Sequence, residues 1–231
     1  PRIWYVDPAA AAGGDGRRTT PFNDIDQFAA INDNVAPNAV AGDNLFIASG
    51  SLDGSLVLLD NQSVFGAGAS ATLAALAGAT LPPYSDPLPA TGGAEPTWTS
   101  AATALTVGAG NTLRGFTIGN APLGLLGANF GTLTVSELSL IGTGEAMSLT
   151  NGTLVDGPGN PGFIALSSSG GNYNLRLDQV GGTPTFGPGT LQAGTVGGVR
   201  INAGTGTFVF PNTISNASGR VIEIVDKPSG S

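Results

Sequence analysis

Three tripeptides set the tightest condition on how this chain folds. Asn111-Thr112-Leu113, Gly131-Thr132-Leu133 and Gly152-Thr153-Leu154 each put a turn residue before a threonine and a leucine, with the threonines 20 and then 21 residues apart. Gly189-Thr190-Leu191 and Gly206-Thr207-Phe208 extend the pattern at intervals of 37 and 17. A second track, Ile118-Gly119-Asn120, Ile141-Gly142-Thr143 and Ile214-Ser215-Asn216, runs beside it. A period near 20 marks a solenoid, in which each unit buries its apolar face only against its neighbours.

The content of one period selects the kind of solenoid. A leucine-rich repeat needs a dense leucine framework with an asparagine or cysteine, and none is present. Each period instead holds two or three runs of 3 to 5 residues, such as Leu133-Thr134-Val135, Leu138-Ser139-Leu140 and Met147-Ser148-Leu149. Alternation within such a run turns one side chain inward and the next outward. Short strands of this kind pair in parallel with the coil above and below, so the expected fold is an all-β parallel β-helix. Composition now has a cause. Only 10% of residues are charged and 37 of 231 are glycine, because half of every strand faces a dry interior and the corners need small residues. Roughly seven coils at about 4.8 Å give a rod ~35 Å long.

The expected organisation is a single domain over 1–231. Residues 1–41 form an N-terminal strand (Ile3-Trp4-Tyr5-Val6), a loop and a helix over 22–31. That helix carries Phe22, Ile25, Phe28, Ala29 and Ile31 on one face and caps the first coil. The first coil occupies 42–68. Prolines 82, 83, 87, 89 and 96 make 69–100 a surface excursion and a candidate partner surface. Regular coils fill 101–226, and 227–231 are a tail. The last strand, Arg220-Val221-Ile222-Glu223-Ile224-Val225, has no capping helix after it. Either the tail blunts its edge, or the chain continues, or another subunit docks there. The opening at Pro1 is expected to reflect a removed signal or a segment of a longer protein.

Acidic residues number 16 and basic residues 8, a net charge of -8, which argues against nucleic-acid binding. Cysteine and histidine are absent, so disulfides, thiol nucleophiles, zinc fingers and a histidine base are excluded. No apolar run approaches the ~18 residues of a membrane helix, and no membrane insertion is expected.

The opening, Ile3-Trp4-Tyr5-Val6-Asp7-Pro8, Gly14-Asp15-Gly16, Pro21-Phe22, then Gly42-Asp43 and a strand ending at Ser49-Gly50, resembles the N-terminal cap and first coil of the pectate-lyase-like right-handed β-helix superfamily. Gln62 to Gly68 resembles that coil's closing corner. Asn111 to Ile118, Leu149 to Leu154 and Ile201 to Gly206 resemble repeats of large bacterial surface proteins of adhesin or autotransporter type. The resemblance implies a right-handed parallel β-helix. It implies no single activity, since the superfamily holds lyases, hydrolases, tailspikes and non-catalytic adhesins.

Several constellations invite a chemical reading. A polysaccharide lyase needs an acidic calcium cluster and a basic residue; Arg114, Arg176 and Arg200 lie in the repeats, and the 22-residue spacing of Asp156 and Asp178 could stack them one coil apart. The simpler reading makes them solvated turn residues. Glu137 and Glu145 would be a hydrolase pair, but eight residues apart they should fall on different faces. The arginines should sit outside, bonded to turn carbonyls or neighbouring acids. Trp4, Trp98, Tyr5, Tyr84 and Tyr173 are the few aromatic platforms on offer, and Trp4 reads as core. Asp7, Asp15 and Asp24 could hold calcium, though a turn and a helix cap explain them. Gly13 to Gly16 and Gly66 to Gly68 lack the lysine and helix of a phosphate cradle. Asn151 and Asn216 stand in glycosylation sequons. No catalytic, cofactor or metal residue is assigned. The expected function is a non-catalytic, secreted bacterial surface module, structural or adhesive. Its partners are itself, by head-to-tail stacking into filaments through the open C-terminal coil, neighbouring domains, or a surface glycan. The alternatives are a polysaccharide lyase or glycoside hydrolase, or a tailspike-like receptor binder.

Overall fold

A computed structural model describes residues 1–159 and 161–228. In chain order the elements are β1 (Ile3–Val6), α1 (Ile25–Ala29), β2 (Asn44–Ile47), β3 (Ser51–Asp53), β4 (Leu56–Val57), β5 (Ser63–Gly66), α2 (Leu73–Leu76), β6 (Thr97–Thr99) and β7 (Thr103–Val107). There follow β8 (Thr112–Ile118), β9 (Leu123–Gly142), β10 (Glu145–Asp156), β11 (Phe163–Ser169), β12 (Leu175–Gly181), β13 (Thr190–Gln192), β14 (Gly197–Asn202), β15 (Thr213–Ser215) and β16 (Arg220–Val225). Every pairing between these strands is parallel. The chain is an all-β parallel β-solenoid of about 8 turns. The expectation of seven falls one short because β1, read as part of the cap, is itself a coil strand paired with β2.

The turns stack three faces. On the first, Trp4, Leu45, Val64, Leu113 and Val135 lie one above another. On the second the inward stack is Leu52, Trp98, Ile118, Leu140 and Leu166. On the third it is Leu56, Leu105, Leu125, Met147, Leu175, Val199 and Ile222. Nearly all of these are fully buried, so one continuous core runs the length of the rod. Inward means alternate residues, and the sequence runs fixed that by their period of two.

Corners follow a rule of their own. Between the third and first faces, Asn129, Asn151, Gln179, Ala203 and Asp226 all have φ between 46 and 54°, one per coil. Asparagine tolerates this left-handed region better than other side chains, and Asn151 donates to Asn129 Oδ1 at 2.6 Å. In earlier coils the same corner is lined by the buried polar residues Asp43, Gln62 and Asn111. Asn111 donates to the carbonyls of Leu59 and Gln62 at 2.7 and 3.0 Å.

The repeat tracks are only partly in register. Thr132 stacks on Thr153, but Thr112 stacks on Thr134, a slip of two residues that keeps every side chain on its face. The second track is not a structural repeat. Ile118 pairs with Leu140, so Ile141 is one residue out of step and points outward, 48% exposed. A one-residue slip exchanges inside and outside.

Both helices are short. The helix expected over 22–31 is only Ile25–Ala29, capped by Asp24, whose side chain accepts from the Asp26 amide. Phe22 is taken by the sheet instead: its N–H donates to Tyr5 O at 3.0 Å and its carbonyl accepts from Asp7 N–H at 2.8 Å. Those bonds, with Tyr5 N–H to Gly16 O at 2.9 Å, cover the outer edge of β1. Ile25 and Phe28 are buried in the end of the core. The excursion over 69–100 is shorter than expected, because Thr97–Thr99 is a coil strand between β3 and β8. The excursion has an inner apolar face as well. Tyr5, Phe46 and Phe65 stack on the outside of the first face, and Leu73, Leu76 and Leu88 pack over them. Arg18 fixes its far end through Asp86 at 2.6 Å and the Pro87 carbonyl at 3.0 Å. The tail expected over 227–231 is described only as far as 228.

Candidate functional site

Four of the seven charged residues singled out by sequence meet on the outer surface of the third face. There Ser148, Arg176, Arg200 and Glu223 form one row, and Thr150, Asp178 and Asn202 the next. Arg176 grips Glu145 from the neighbouring coil with both nitrogens, Nε to Oε1 at 2.6 Å and Nη2 to Oε2 at 3.0 Å. Such a fork is the strongest geometry for this pair. Arg200 pairs with Glu223 at 3.3 Å, which Arg220 also reaches at 2.8 Å. Asn202 donates to Asp178 at 2.8 Å. The hollow among Ser148, Thr150, Arg176, Asp178 and Arg200 holds about 40 Å³, space for a few waters and not for a sugar ring.

The other three candidates lie elsewhere. Asp156 is level with Val135 on the first face, whereas Asp178 is level with Thr150 on the third. The expected one-coil stacking of these aspartates therefore fails: residues 157–174 form a longer loop and strand, so 22 residues is not one coil here. Asp156 instead accepts from the Thr185 amide at 2.9 and 3.1 Å. Glu137 and Glu145 do fall on different faces. Glu137 occupies the corner between the first and second faces at φ 51°, accepting from Arg114 Nε at 2.7 Å and Ser70 N–H at 3.1 Å. The arginines are thus outside and paired with acids, as expected.

The remaining candidates have structural work. Asp7 accepts from Ala9 N–H, Asp15 from Arg17 N–H and the Thr20 hydroxyl, and Asp24 caps α1. Among the described residues no three acids gather as metal ligands. Trp98 is 1% exposed, and Trp4 stacks on Phe22 with centroids 6.4 Å apart. Only Tyr84, fully exposed on the excursion, has a free ring.

Two hollows had no warning in the sequence reading. One, of about 760 Å³, opens at the N-terminal end among Arg2, Trp4, Asp15, Arg17, Phe22 and Ile31. The other, of about 410 Å³, runs between α2 and the first face over Ser63, Thr112, Thr134 and Arg114. The outward threonines were readable from the alternation; the wall supplied by α2 was not.

The two buried glutamates respond to acid in opposite senses. Burial raises the Glu145 carboxyl above its ordinary pKa, against the opposing bonds from Arg176. Burial also acts to raise Glu137, but bonds from Ser70 and Arg114 outweigh it, and its pKa is lowered. A raised carboxyl makes the folded state bind its proton more tightly, so stability is gained as pH falls through the folded value. A lowered one contributes stability above the unfolded value that is lost as pH falls through the folded value. Urea midpoints measured against pH are therefore expected to fall less steeply in acid for Glu137→Gln than for wild type, and more steeply for Glu145→Gln. At neutral pH Glu145→Gln should change stability by no more than about 1 kcal/mol, because Arg176 remains partly hydrated.

No protein-family model matches the chain, and no curated protein does. Among solved structures, a rhamnogalacturonan lyase superposes with a TM-score of 0.52 at 11% identity. The match covers 100% of this chain and 62% of that one. The chain thus spans less than two thirds of the lyase. At this identity the likeness shows the fold alone, that of the pectate-lyase-like class.

Proposed function

We propose that the chain is a non-catalytic, extracellular β-solenoid module, structural or adhesive, that presents its outer faces to a surface glycan or to neighbouring domains. One observation carries this reading: the repeat carboxylates with chemical potential are already engaged in holding coils together. Glu145 is held by Arg176, Glu137 by Arg114, Glu223 by Arg200, and Asp156 by a turn amide. A general acid or base must reach a substrate proton, and these groups are committed to the fold. A second reading, polysaccharide lyase or hydrolase, rests on the outer third face, where Glu145, Arg176, Asp178 and Arg200 converge.

Incubation with acidic and neutral polysaccharides separates the two. Ultraviolet absorbance of unsaturated products and assay of new reducing ends report cleavage, and co-sedimentation reports binding. The expected result is no cleavage. Turnover by the wild-type chain would overturn the proposal, and its loss in Arg176→Ala would place the chemistry on the third face.

A further inference from the structure

The two ends of the rod differ. At the N-terminal end, backbone bonds from Phe22 and Gly16 occupy the outer edge of β1, and α1 closes the core. At the other end, β16 pairs only with β14 among the described residues. Its apolar side chains are open to solvent: Val221 is 40% exposed, Ile222 49% and Ile224 60%. Ile222 continues the inward stack of the third face.

The hydrogen-bond phase tells which groups of β16 are free. Val225 O accepts from Ala203 N–H at 2.8 Å. In a parallel ladder alternate residues face the same neighbour, so the odd residues of β16 turn towards β14. The amides and carbonyls of Ile222 and Ile224 then point to the open edge.

We propose that this edge is an interface with a second copy of the chain, in which two β16 strands pair antiparallel about a two-fold axis at Glu223. That register sets Ile222 opposite Ile224 of the second copy as hydrogen-bonded pairs, using the amides and carbonyls that are free. It sets Val221 opposite Val225 and brings Arg220 level with Asp226. The two Glu223 side chains meet as a non-hydrogen-bonded pair, each already neutralised by Arg200 and Arg220. An isologous contact closes on itself and leaves both capped N-terminal ends outward. Head-to-tail stacking would need the β1 edge, which is occupied.

The chain has no cysteine, so an introduced one reports the register directly. Non-hydrogen-bonded antiparallel pairs have Cα atoms ~4.5 Å apart, within disulfide range. Light scattering over a concentration series should show a monomer–dimer equilibrium with nothing larger. On mild oxidation Glu223→Cys should run as a covalent dimer, while Thr213→Cys, on the second face, should not. Ile224→Lys should be monomeric at every concentration, with hydrogen-exchange protection over residues 1–150 unchanged. A wild-type monomer throughout, assemblies that grow without limit, or a dimer that Ile224→Lys leaves intact would each overturn the proposal. So would failure of Glu223→Cys to cross-link.

Discussion

Phe186→Ala is expected to lose about 3–5 kcal/mol of stability, and to lose it from one end. Phe186 is 3% exposed and holds together the aromatic stack of the last coils. Its ring lies 5.3 Å from Phe163, 6.4 Å from Phe208 and 4.9 Å from Phe210, the last nearly parallel at 7°. Removing it opens a cavity that leucine or valine neighbours cannot fill, because the corner glycines and stacked strands fix the wall. In a solenoid each coil contacts only its neighbours, so the damage is local. Hydrogen exchange should accelerate across 163–225 and stay slow in β2 and β5. Equal acceleration along the whole chain would show instead that the rod melts as one unit.

The Arg114→Ala variant should cost a comparable amount, about 3–5 kcal/mol, since it strands a buried carboxylate. The Arg114 and Glu137 side chains are 9% and 13% exposed. Without the guanidinium, Glu137 keeps only the Ser70 amide at a corner whose geometry it cannot leave. Arg114→Met with Glu137→Gln should recover most of the loss, because both charges then vanish together. A second readout identifies the mechanism. Glu137 ties Ser70 and hence the start of the excursion, so the single variant should be cut by protease within residues 70–96 at temperatures where the coils remain folded. Thermal unfolding with limited proteolysis checks both. Equal losses in the single and double variants would show that packing of Arg114, not its charge, holds the corner.

These two sites also show where sequence reading succeeds and fails. Phe163, Phe186 and Phe208 read as strand or corner residues, but nothing local says that they touch: they lie in successive coils, and only stacking brings them together. Arg114 and Glu137 were both marked as candidates, and their pairing across 23 residues needed the corner at Gly115 and Glu137 to be built first. Asp156 and Asp178 show the opposite error, in which linear spacing was taken for coil spacing although one turn had a longer loop.

What the sequence determined by itself was the class of fold and its sidedness. Alternation with a period of two decides which side chains face in, and it survives a two-residue slip such as Thr112 over Thr134. Asparagine and glycine at the corners permit left-handed φ whatever lies above them. Those are local properties, set by sterics within a few residues. Register, the covering of Tyr5, Phe46 and Phe65 by the excursion, the shortening of the helix from 22–31 to Ile25–Ala29, and the meeting of Glu145 with Arg176 were decided only by the tertiary structure. Each depends on which coil lies next to which. The β1 edge took Phe22 because its free backbone groups needed partners, a demand that exists only once the solenoid has formed.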